Sequence, residues 1–249
     1  ESYLEEVREF LRWIRDDHFT LLGYRRYSFV QHRGGEVLKS HGDSGLGLLR
    51  EKGKGHISAS FGALPEDVRR RAKDPAEVLI ITKSNSRATV HRPGYMDYLG
   101  IKRYDAEGNV IGEHRFLGLY TSAAYNRNPR GIPLLRRKLE HVLGRARLRQ
   151  DSHAGKALIN ILETHPRDEL FQSEPDQLYE TAKGILHLQE RQRVRLFVRY
   201  DTYRRFVSCL VYAPRERYDT QVRKEMQRLL QDAFNGSQSE FAVQLSESV

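Results

Sequence analysis

The spacing of apolar residues changes along the chain, and this limits the possible folds more than any other sequence feature. Between residues 19 and 120, apolar residues alternate with polar ones or form short runs bounded by Gly, Asn and Asp, which predicts strands. After Pro133 they recur at helical spacing, and beyond Pro166 strand and helix patterns follow one another. The sequence therefore predicts an α+β protein, and its 249 residues favour more than one domain.

Residues 1–128 are predicted to form an antiparallel sheet domain that begins with a helix. The apolar stripe of the helix consists of Leu4, Val7, Phe10, Leu11 and Ile14. The next predicted elements are strands at 19–30 and around 37–38, a helix at 65–71, and strands at 77–82, 96–104 and 110–120. Two strands, a helix and three strands is the order of a PAS-like sensor domain. Such sheets often hold a small ligand against the helix, but the sequence identifies none.

A helical linker is predicted for residues 129–165, and its first helix has a basic face. The basic residues are Arg136, Arg137, Lys138, Arg145, Arg147 and Arg149. Together with a net charge of +9 they raise the question of nucleic acid, because clustered cations release counterions from phosphates. The amphipathic spacing favours a solvated face or a docking surface for a neighbouring domain, so nucleic-acid binding is not expected.

Residues 166–249 are predicted to form an ACT-like domain. The expected elements are a strand at 169–172, a helix with a capping box of Ser173 and Asp176, strands at 194–198 and 205–212, a helix from Val222 to Phe234 that Gly236 ends, and a strand of Phe241, Val243 and Leu245. This βαββαβ order is that of ferredoxin-like folds, which include the ACT domains that sense amino acids. The face with Arg193, Arg195 and Arg199, or an exposed sheet edge, is expected to contact a neighbour.

No catalytic, cofactor-binding or metal-binding residue is predicted in this chain. His18, His32, His41, His56, His91 and His114 are scattered, without the converging spacing of a metal site. The loop 42–47 lacks the glycine order and following helix of a phosphate loop, and its Ser44 lacks the strand-turn-helix elbow of a nucleophile. The single cysteine, Cys209, cannot form an internal disulfide and is interpreted as a core thiol in a reducing compartment.

The composition is that of a cytoplasmic globular protein. Hydrophobic residues make up 39% of the chain and charged residues 30%, which argues against disorder. We find neither an apolar run near the roughly 20 residues that cross a bilayer nor a secretion signal. No membrane partner is therefore expected.

Three stretches resemble the large bacterial NAD-specific glutamate dehydrogenases, namely residues 17–25 (DHFTLLGYR), 165–171 (HPRDELF) and 205–218 (RFVSCLVYAPRERY). The resemblance implies a fragment of the N-terminal regulatory region of such an enzyme. By resemblance, the parent protein oxidises glutamate to 2-oxoglutarate and ammonia with NAD, as a homo-oligomer in amino-acid catabolism. The catalytic lysines and Rossmann glycines of the family have no counterpart here, so this segment is expected to be inactive and to bind no cofactor.

The leading hypothesis is a regulatory and assembly segment, whose partners are other domains and subunits of the same enzyme and an amino-acid effector. The alternatives are a stand-alone small-ligand sensing module and a basic nucleic-acid-binding domain. A small hydrolytic or transfer enzyme is a further alternative, opposed by the lack of a nucleophile with a nearby base.

Overall fold

The structure is a computed structural model that describes residues 2–50, 55–58, 61–188 and 193–244. The chain folds into two compact units. The first contains residues 1–140, 166–172 and 202–205, and the second contains 141–165, 173–201 and the chain from 206 onward. The segments 166–172 and 202–205, which lie within the predicted ACT-like region, thus belong to the first unit.

The first unit begins with helix α1 (Tyr3–Trp13), as predicted. Ser2 caps it: its hydroxyl accepts from the amide of Glu5, whose carboxylate accepts from the amide of Ser2. This reciprocal pair satisfies two backbone donors that a helix start leaves free. Val7 and Phe10 of the predicted stripe are buried and Leu11 and Ile14 are half-buried, whereas Leu4 is 53% exposed.

An antiparallel sheet forms the centre of the first unit. Its strands are β1 (Phe19–His32), β2 (Gly35–Ser40), β3 (Leu46–Gly47), β4 (Ile57–Ser58), β5 (Leu79–Ala88), β6 (Gly94–Tyr104) and β7 (Val110–Tyr120). The order across the sheet is β4-β2-β1-β7-β6-β5, and β3 pairs with β1. The five longer strands confirm the sequence prediction, and the two-residue strands β3 and β4 are additions to it. Helix α2 (Glu66–Ala72) begins directly after Pro65, at the predicted place.

The two faces of this sheet have different coverings. On one face, buried apolar side chains form two clusters. One is centred on Leu117, and the other contains Phe61 together with Ala72 of helix α2. Tyr203 packs against both clusters. On the other face, Trp13 of α1 packs near Tyr120, the last residue of β7.

Helices follow the sheet. They are α3 (Ser122–Asn126), α4 (Leu135–Ala146), α5 (His153–Thr164), α6 (Arg167–Gln172) and α7 (Pro175–Leu186). A one-turn 3-10 helix at 129–131 precedes α4. Helix α6 belongs to the first unit, whereas α5 and α7 belong to the second. The two helices predicted in the linker are thus present as α4 and α5.

The second unit also contains an antiparallel hairpin and a long helix. Strand β8 (Arg195–Tyr200) pairs with β9 (Val207–Tyr212), and α8 (Thr220–Phe234) follows. Gly184 of α7 lies so close to the ring of Phe197 that a β-carbon would overlap it. Tyr200, whose side chain points to the opposite face of β8, contacts Phe234 of α8 edge-on. The helices α7 and α8 therefore contact opposite faces of β8.

Several details of the predicted βαββαβ order are wrong. Residues 169–172 are helical, because Asp168 and Glu169 suit the start of a helix and the ammonium of Lys138 binds the carbonyls of Leu170 and Phe171 at its end. The capping box before α7 is absent, since Glu174 is the N-cap residue and its side chain makes no capping bond.

The end of the chain differs from the prediction as well. Phe241 and Val243 are not in a strand, and Leu245 lies outside the described residues. The residue with left-handed backbone that ends α8 is Asn235, one position before the predicted Gly236.

On β8, an arginine of the odd-numbered face is buried, whereas apolar side chains of the even-numbered face are exposed. The guanidinium of Arg199 is buried and lies over the ring of Phe206, whereas Leu196 is 42% and Tyr200 59% exposed. The reason is that α7 packs on the odd-numbered side chains around Phe197, so the apolar even-numbered ones are left on a less covered face.

Candidate functional site: a buried ion network

The first unit contains a buried ion pair between two neighbouring strands. Lys83 of β5 lies directly opposite Asp97 of β6, and its Nζ is 2.5 Å from Asp97 Oδ1. The second oxygen, Oδ2, accepts a hydrogen bond of 3.0 Å from the backbone amide of Tyr120. Asp97 is only 1% exposed, and both oxygens of its buried carboxylate therefore have partners.

Helix α6 adds a second carboxylate to this pair. Asp168 places Oδ2 3.1 Å from the ammonium of Lys83, and its Oδ1 accepts a hydrogen bond of 2.9 Å from the hydroxyl of Tyr125. The guanidinium of Arg92 donates to that same hydroxyl at 3.2 Å and to the carbonyl of Tyr120 at 3.3 Å. We call Lys83, Asp97, Asp168, Tyr125 and Arg92 the ion network.

The electrostatics of the ion network hold Lys83 as a cation. Burial opposes the charged form, but the carboxylates of Asp97 and Asp168 outweigh it and raise the pKa of Lys83 above its ordinary value. Burial, followed by the charge of Asp168, raises the pKa of Tyr125 to about 12. A lysine that acts as a nucleophile needs a lowered pKa. The arrangement is therefore suited to fixing α6 against the sheet, and it offers no activated amine.

The burial of Asp97 works in the opposite direction to its pairing with Lys83. Burial raises the pKa of Asp97 above that of an exposed carboxyl, and the ammonium of Lys83 counteracts this rise only in part. Without Lys83, a carboxyl would be left in the core with the Tyr120 amide as its remaining bonded donor among the described residues. The stability of the network therefore depends on the ammonium.

The other side chains of α6 complete this attachment. The ring of Phe171 stacks on that of Tyr120 with centroids 4.4 Å apart and planes 4° from parallel. Arg167 donates to the carbonyls of Tyr125 and Arg127 at 3.2 and 2.8 Å, and burial lowers its pKa. Arg167, Asp168 and Phe171 thus anchor and pack α6 within the first unit.

A second polar cluster lies on the opposite sheet face. The hydroxyl of Tyr98 donates to Glu113 at 2.5 Å, and the guanidinium of Arg115 binds Glu113 and covers the ring of Tyr27 at 4.0 Å. Burial raises the pKa of Tyr98 well above its ordinary value. The ring of Tyr203 packs edge-on to Tyr98. The chain's own side chains therefore occupy this part of the sheet face.

Four of the histidines that the sequence singled out have separate hydrogen-bond partners. The rings of His18, His41, His56 and His114 lie within hydrogen-bond distance of Trp13 O, Ser28 Oγ, Ser40 Oγ and Tyr24 Oη, respectively. Within the described ranges, no three His, Cys, Asp or Glu side chains are grouped so that they could hold a metal ion.

The glycine-rich loop and the single cysteine have structural surroundings. Ser44 accepts a hydrogen bond from the amide of Arg26 at 3.0 Å and donates to the carbonyl of His41 at 2.6 Å, which closes the loop after β2. Gly47 pairs with Gly23 of β1 and has a positive φ of 57°. Cys209 is half-buried in β9, so it is less enclosed than a core thiol.

Most of the basic residues around α4 have acidic or carbonyl partners within their own unit. In the first unit, Arg136 binds Glu6 and Glu9 of α1, and Lys138 binds the end of α6. In the second unit, Arg145 pairs with Asp176, and Arg149 pairs with Asp151. These pairings reduce the basic surface that the sequence pattern suggested.

Sequence reasoning did not find the ion network, because its members are separated by up to 85 positions and meet only through sheet register and the return of the chain to α6. One signal was present. Asp97 lies between Met96 and Tyr98 in a strand whose neighbouring side chains are buried, and a carboxylate in such a place requires a cation or several donors.

Two segments match known sequence families. Residues 132–191 match the family described as glutamate dehydrogenase, helical motif 1, and residues 195–249 match that described as glutamate dehydrogenase, ACT2 domain. The second match begins at the first residue of β8. No helix in the described part of the chain is long and apolar enough to cross a membrane.

The chain is also similar to three longer proteins. NAD-specific glutamate dehydrogenases of Halomonas elongata, Pseudomonas aeruginosa and Mycobacterium tuberculosis are 41%, 39% and 33% identical over 98%, 99% and 98% of this chain. The chain spans only 14–15% of the length of these relatives. The resemblance predicted from the three sequence stretches is confirmed.

Proposed function

The similarity of this chain to NAD-specific glutamate dehydrogenases extends over almost its whole length, and from this premise we propose that it is a non-catalytic regulatory and assembly segment of such an enzyme. The observation that carries the proposal is the coverage: 98% of the chain matches 15% of the Halomonas elongata protein. The segments matched have the descriptions helical motif 1 and ACT2 domain, neither of which denotes a nucleotide-binding domain.

The parent protein, on this proposal, is a cytoplasmic homo-oligomer that oxidises glutamate to 2-oxoglutarate and ammonia with NAD. Residues outside this chain supply the nucleotide site and the chemistry. The geometry of the first unit supports this division, because the ammonium of Lys83 is held by two carboxylates and the hydroxyl of Ser44 closes a loop. Neither group is arranged as a nucleophile with a base.

An activity assay tests the non-catalytic role. The purified chain is mixed with glutamate and NAD, and NADH is followed by absorbance at saturating substrate. We expect no turnover above that of a heat-denatured sample. Turnover that disappears in the Lys83→Met variant and persists in Lys39→Met, a change at an exposed position of β2, would contradict the proposal.

For regulation, we propose that residues 1–128 form a PAS-like domain and that residues 166–249 form an ACT-like domain that binds an amino-acid effector. The division into residues 1–128, 129–165 and 166–249 stays a prediction, and limited proteolysis with mass spectrometry of the fragments tests it. Thermal-shift screening of the twenty amino acids tests the effector, since a ligand of the folded state raises its melting temperature. The absence of a shift with all twenty would count against the effector and leave the assembly role intact.

For assembly, we propose contacts with other domains and subunits of the same enzyme. The exposed apolar side chains of β8, Leu196 and Tyr200, support this, because such residues together favour burial in an interface. Light scattering of the chain at increasing concentration tests self-association. A strict monomer at the highest soluble concentration would limit the assembly role to contacts with other parts of the enzyme.

The nucleic-acid alternative has less support. Arg136, Lys138, Arg145 and Arg149 each have partners within the chain. Counterion release requires cations that are free to reach phosphates. We expect no mobility shift of duplex DNA or single-stranded RNA at physiological salt.

A further inference from the structure

A group of cationic and hydrogen-bonding side chains lies on the sheet face that also carries the ion network. The group surrounds the first half of β7. Cross-strand register places Arg26 of β1 opposite His114 of β7, and it places Ser28 of β1 and Arg103 of β6 on either side of Gly112. Cross-strand partners project from the same face of a sheet. These side chains are all half-buried, and none belongs to the ion network.

Gly112 makes this grouping possible. A β-carbon at Gly112 would overlap the carbonyl oxygen of Tyr27, and φ at this residue is +157°. With no side chain between them, Arg103 reaches across β7 and donates to Ser28 Oγ at 3.0 Å and to the carbonyl of Tyr27 at 3.1 Å. One edge of its guanidinium is thereby anchored, which fixes the direction of the positive charge.

The two imidazoles extend the group. His41 Nε2 lies 2.8 Å from Ser28 Oγ, and His114 Nδ1 lies 2.8 Å from Tyr24 Oη. Burial, and then the charges of Arg26 and Arg103, lowers the pKa of both histidines. The guanidinium groups of Arg26 and Arg103 therefore both influence the two imidazole rings. The Cα atoms of these two arginines are roughly 12 Å apart, as estimated from two strand spacings and two residues along a strand.

Within the part of the chain that the structure describes, one carboxylate forms an ion pair with this group. The carboxylate of Asp43 is 4.0 Å from a terminal nitrogen of Arg26, and its side chain is 81% exposed. Arg26 Nε is shielded from solvent and has no hydrogen-bond partner among the described residues. Lys39 adds a further positive charge near His41. Among the described residues, the carboxylate of Asp43 thus offsets the charge of Arg26 only loosely, and the buried Nε of Arg26 is an unused donor.

We propose that Arg26, Arg103, His41 and His114, together named the outer-face cluster, bind the oxyanion group of a small ligand, either a phosphate or a carboxylate. The arginines supply charge-assisted hydrogen bonds. Each neutral imidazole, together with the hydroxyl it contacts, supplies one further donor, which is on the ring or on the hydroxyl according to the tautomer. The proposal goes beyond the regulatory and assembly role and does not depend on the parent activity.

Proton–carbon NMR of the imidazole rings tests the outer-face cluster in the 249-residue chain. Inorganic phosphate is titrated in one series and glutarate in another, each against sodium chloride at equal ionic strength. We expect saturable shifts of His41 and His114 with one or both probes. Saturation with phosphate alone identifies a phosphate group, and saturation with glutarate identifies a carboxylate group.

Two variants and a matched control locate the binding. Arg26→Gln and Arg103→Lys are each expected to weaken binding about tenfold or more, because each alters a charged donor of the cluster. Arg70→Gln, which removes an exposed arginine from α2, is expected to bind as the unaltered chain does. Trp13 emission and melting temperature identify any variant that has lost its fold.

Shifts that follow ionic strength without saturation would overturn the proposal. So would saturable binding that is unchanged in Arg26→Gln while that variant remains folded. If both variants unfold, His114→Gln provides the decisive comparison, and unchanged affinity in that folded variant would likewise overturn it.

Discussion

Removal of the ammonium of Lys83 is the sharpest perturbation of the ion network. Lys83→Met keeps the length and apolar stem of the side chain but removes the cation that binds Asp97 and Asp168. The side chain of Asp97 is 2% exposed, whereas that of Asp168 is 37% exposed. The cost therefore arises mainly from Asp97, because water can solvate Asp168 once its partner is removed.

The magnitude follows from the burial of the pair. Removing one partner of a buried ion pair costs about 3–5 kcal/mol, because the other charge stays in the core without compensation. For a chain of this size, a loss of that order lowers the melting temperature by roughly 6–20 °C. In Lys83→Met/Asp97→Asn the remaining amide is neutral and can still accept from the Tyr120 amide, so we expect part of the loss to be recovered.

The assay is urea unfolding followed by tryptophan fluorescence. Trp13 is the single tryptophan and is buried in the first unit against the ring of His18, so its emission reports the unit that contains the network. Lys39→Met, at an exposed position of β2, is the matched control and should change stability by less than about 0.5 kcal/mol. A loss below about 1 kcal/mol for Lys83→Met, or a double variant no more stable than the single one, would refute the reasoning.

Three further predictions concern the same unit. Phe171→Ala removes a buried stacked ring and should lower the free energy of unfolding by about 3–5 kcal/mol in the same urea assay. Gly112→Ala should cost more than about 1 kcal/mol by thermal unfolding, because a β-carbon has no space there, whereas Gly131→Ala, with open space, serves as the control. Burial and neighbouring arginines lower the pKa of His41 and His114, so the folded state favours the neutral rings. Their contribution to stability is fully present above pH 6.5, the ordinary imidazole pKa, and it is lost as the pH falls through the lower pKa values of the folded state. Urea titrations between pH 5 and 8 should show this slope flattened when both histidines are replaced by Gln, and an unchanged slope would contradict it.

The strands of the first unit were predictable because their signals are local. Alternation from Phe19 onward and the turn at Gly34, whose φ is +80°, define the hairpin of β1 and β2 in both sequence and structure. The same local reasoning failed at 169–172, where four residues are too few to distinguish period two from a helical turn. The contact that stabilises that turn comes from Lys138, more than thirty positions earlier.

The candidate site was less predictable than the fold. Lys83 and Asp97 become neighbours through the register of β5 and β6, and Asp168 joins them only because the chain returns to the first unit. No spacing rule connects residues that meet in this way. The covering of β8 was not predictable for a related reason. Alternation shows that Leu196 and Phe197 point in opposite directions, but the packing of α7 decides which of them is covered.

The return of the chain to its first unit has a consequence for biosynthesis. The main part of that unit is complete at residue 140, but Phe171 and Tyr203, which fill its core, belong to the segments 166–172 and 202–205. A ribosome adds the 65 residues from 141 to 205 in about 3–13 s at 5–20 residues per second. During that interval the ring of Tyr120 lacks the stacked ring of Phe171, so the nascent sheet exposes aromatic surface there until the chain returns.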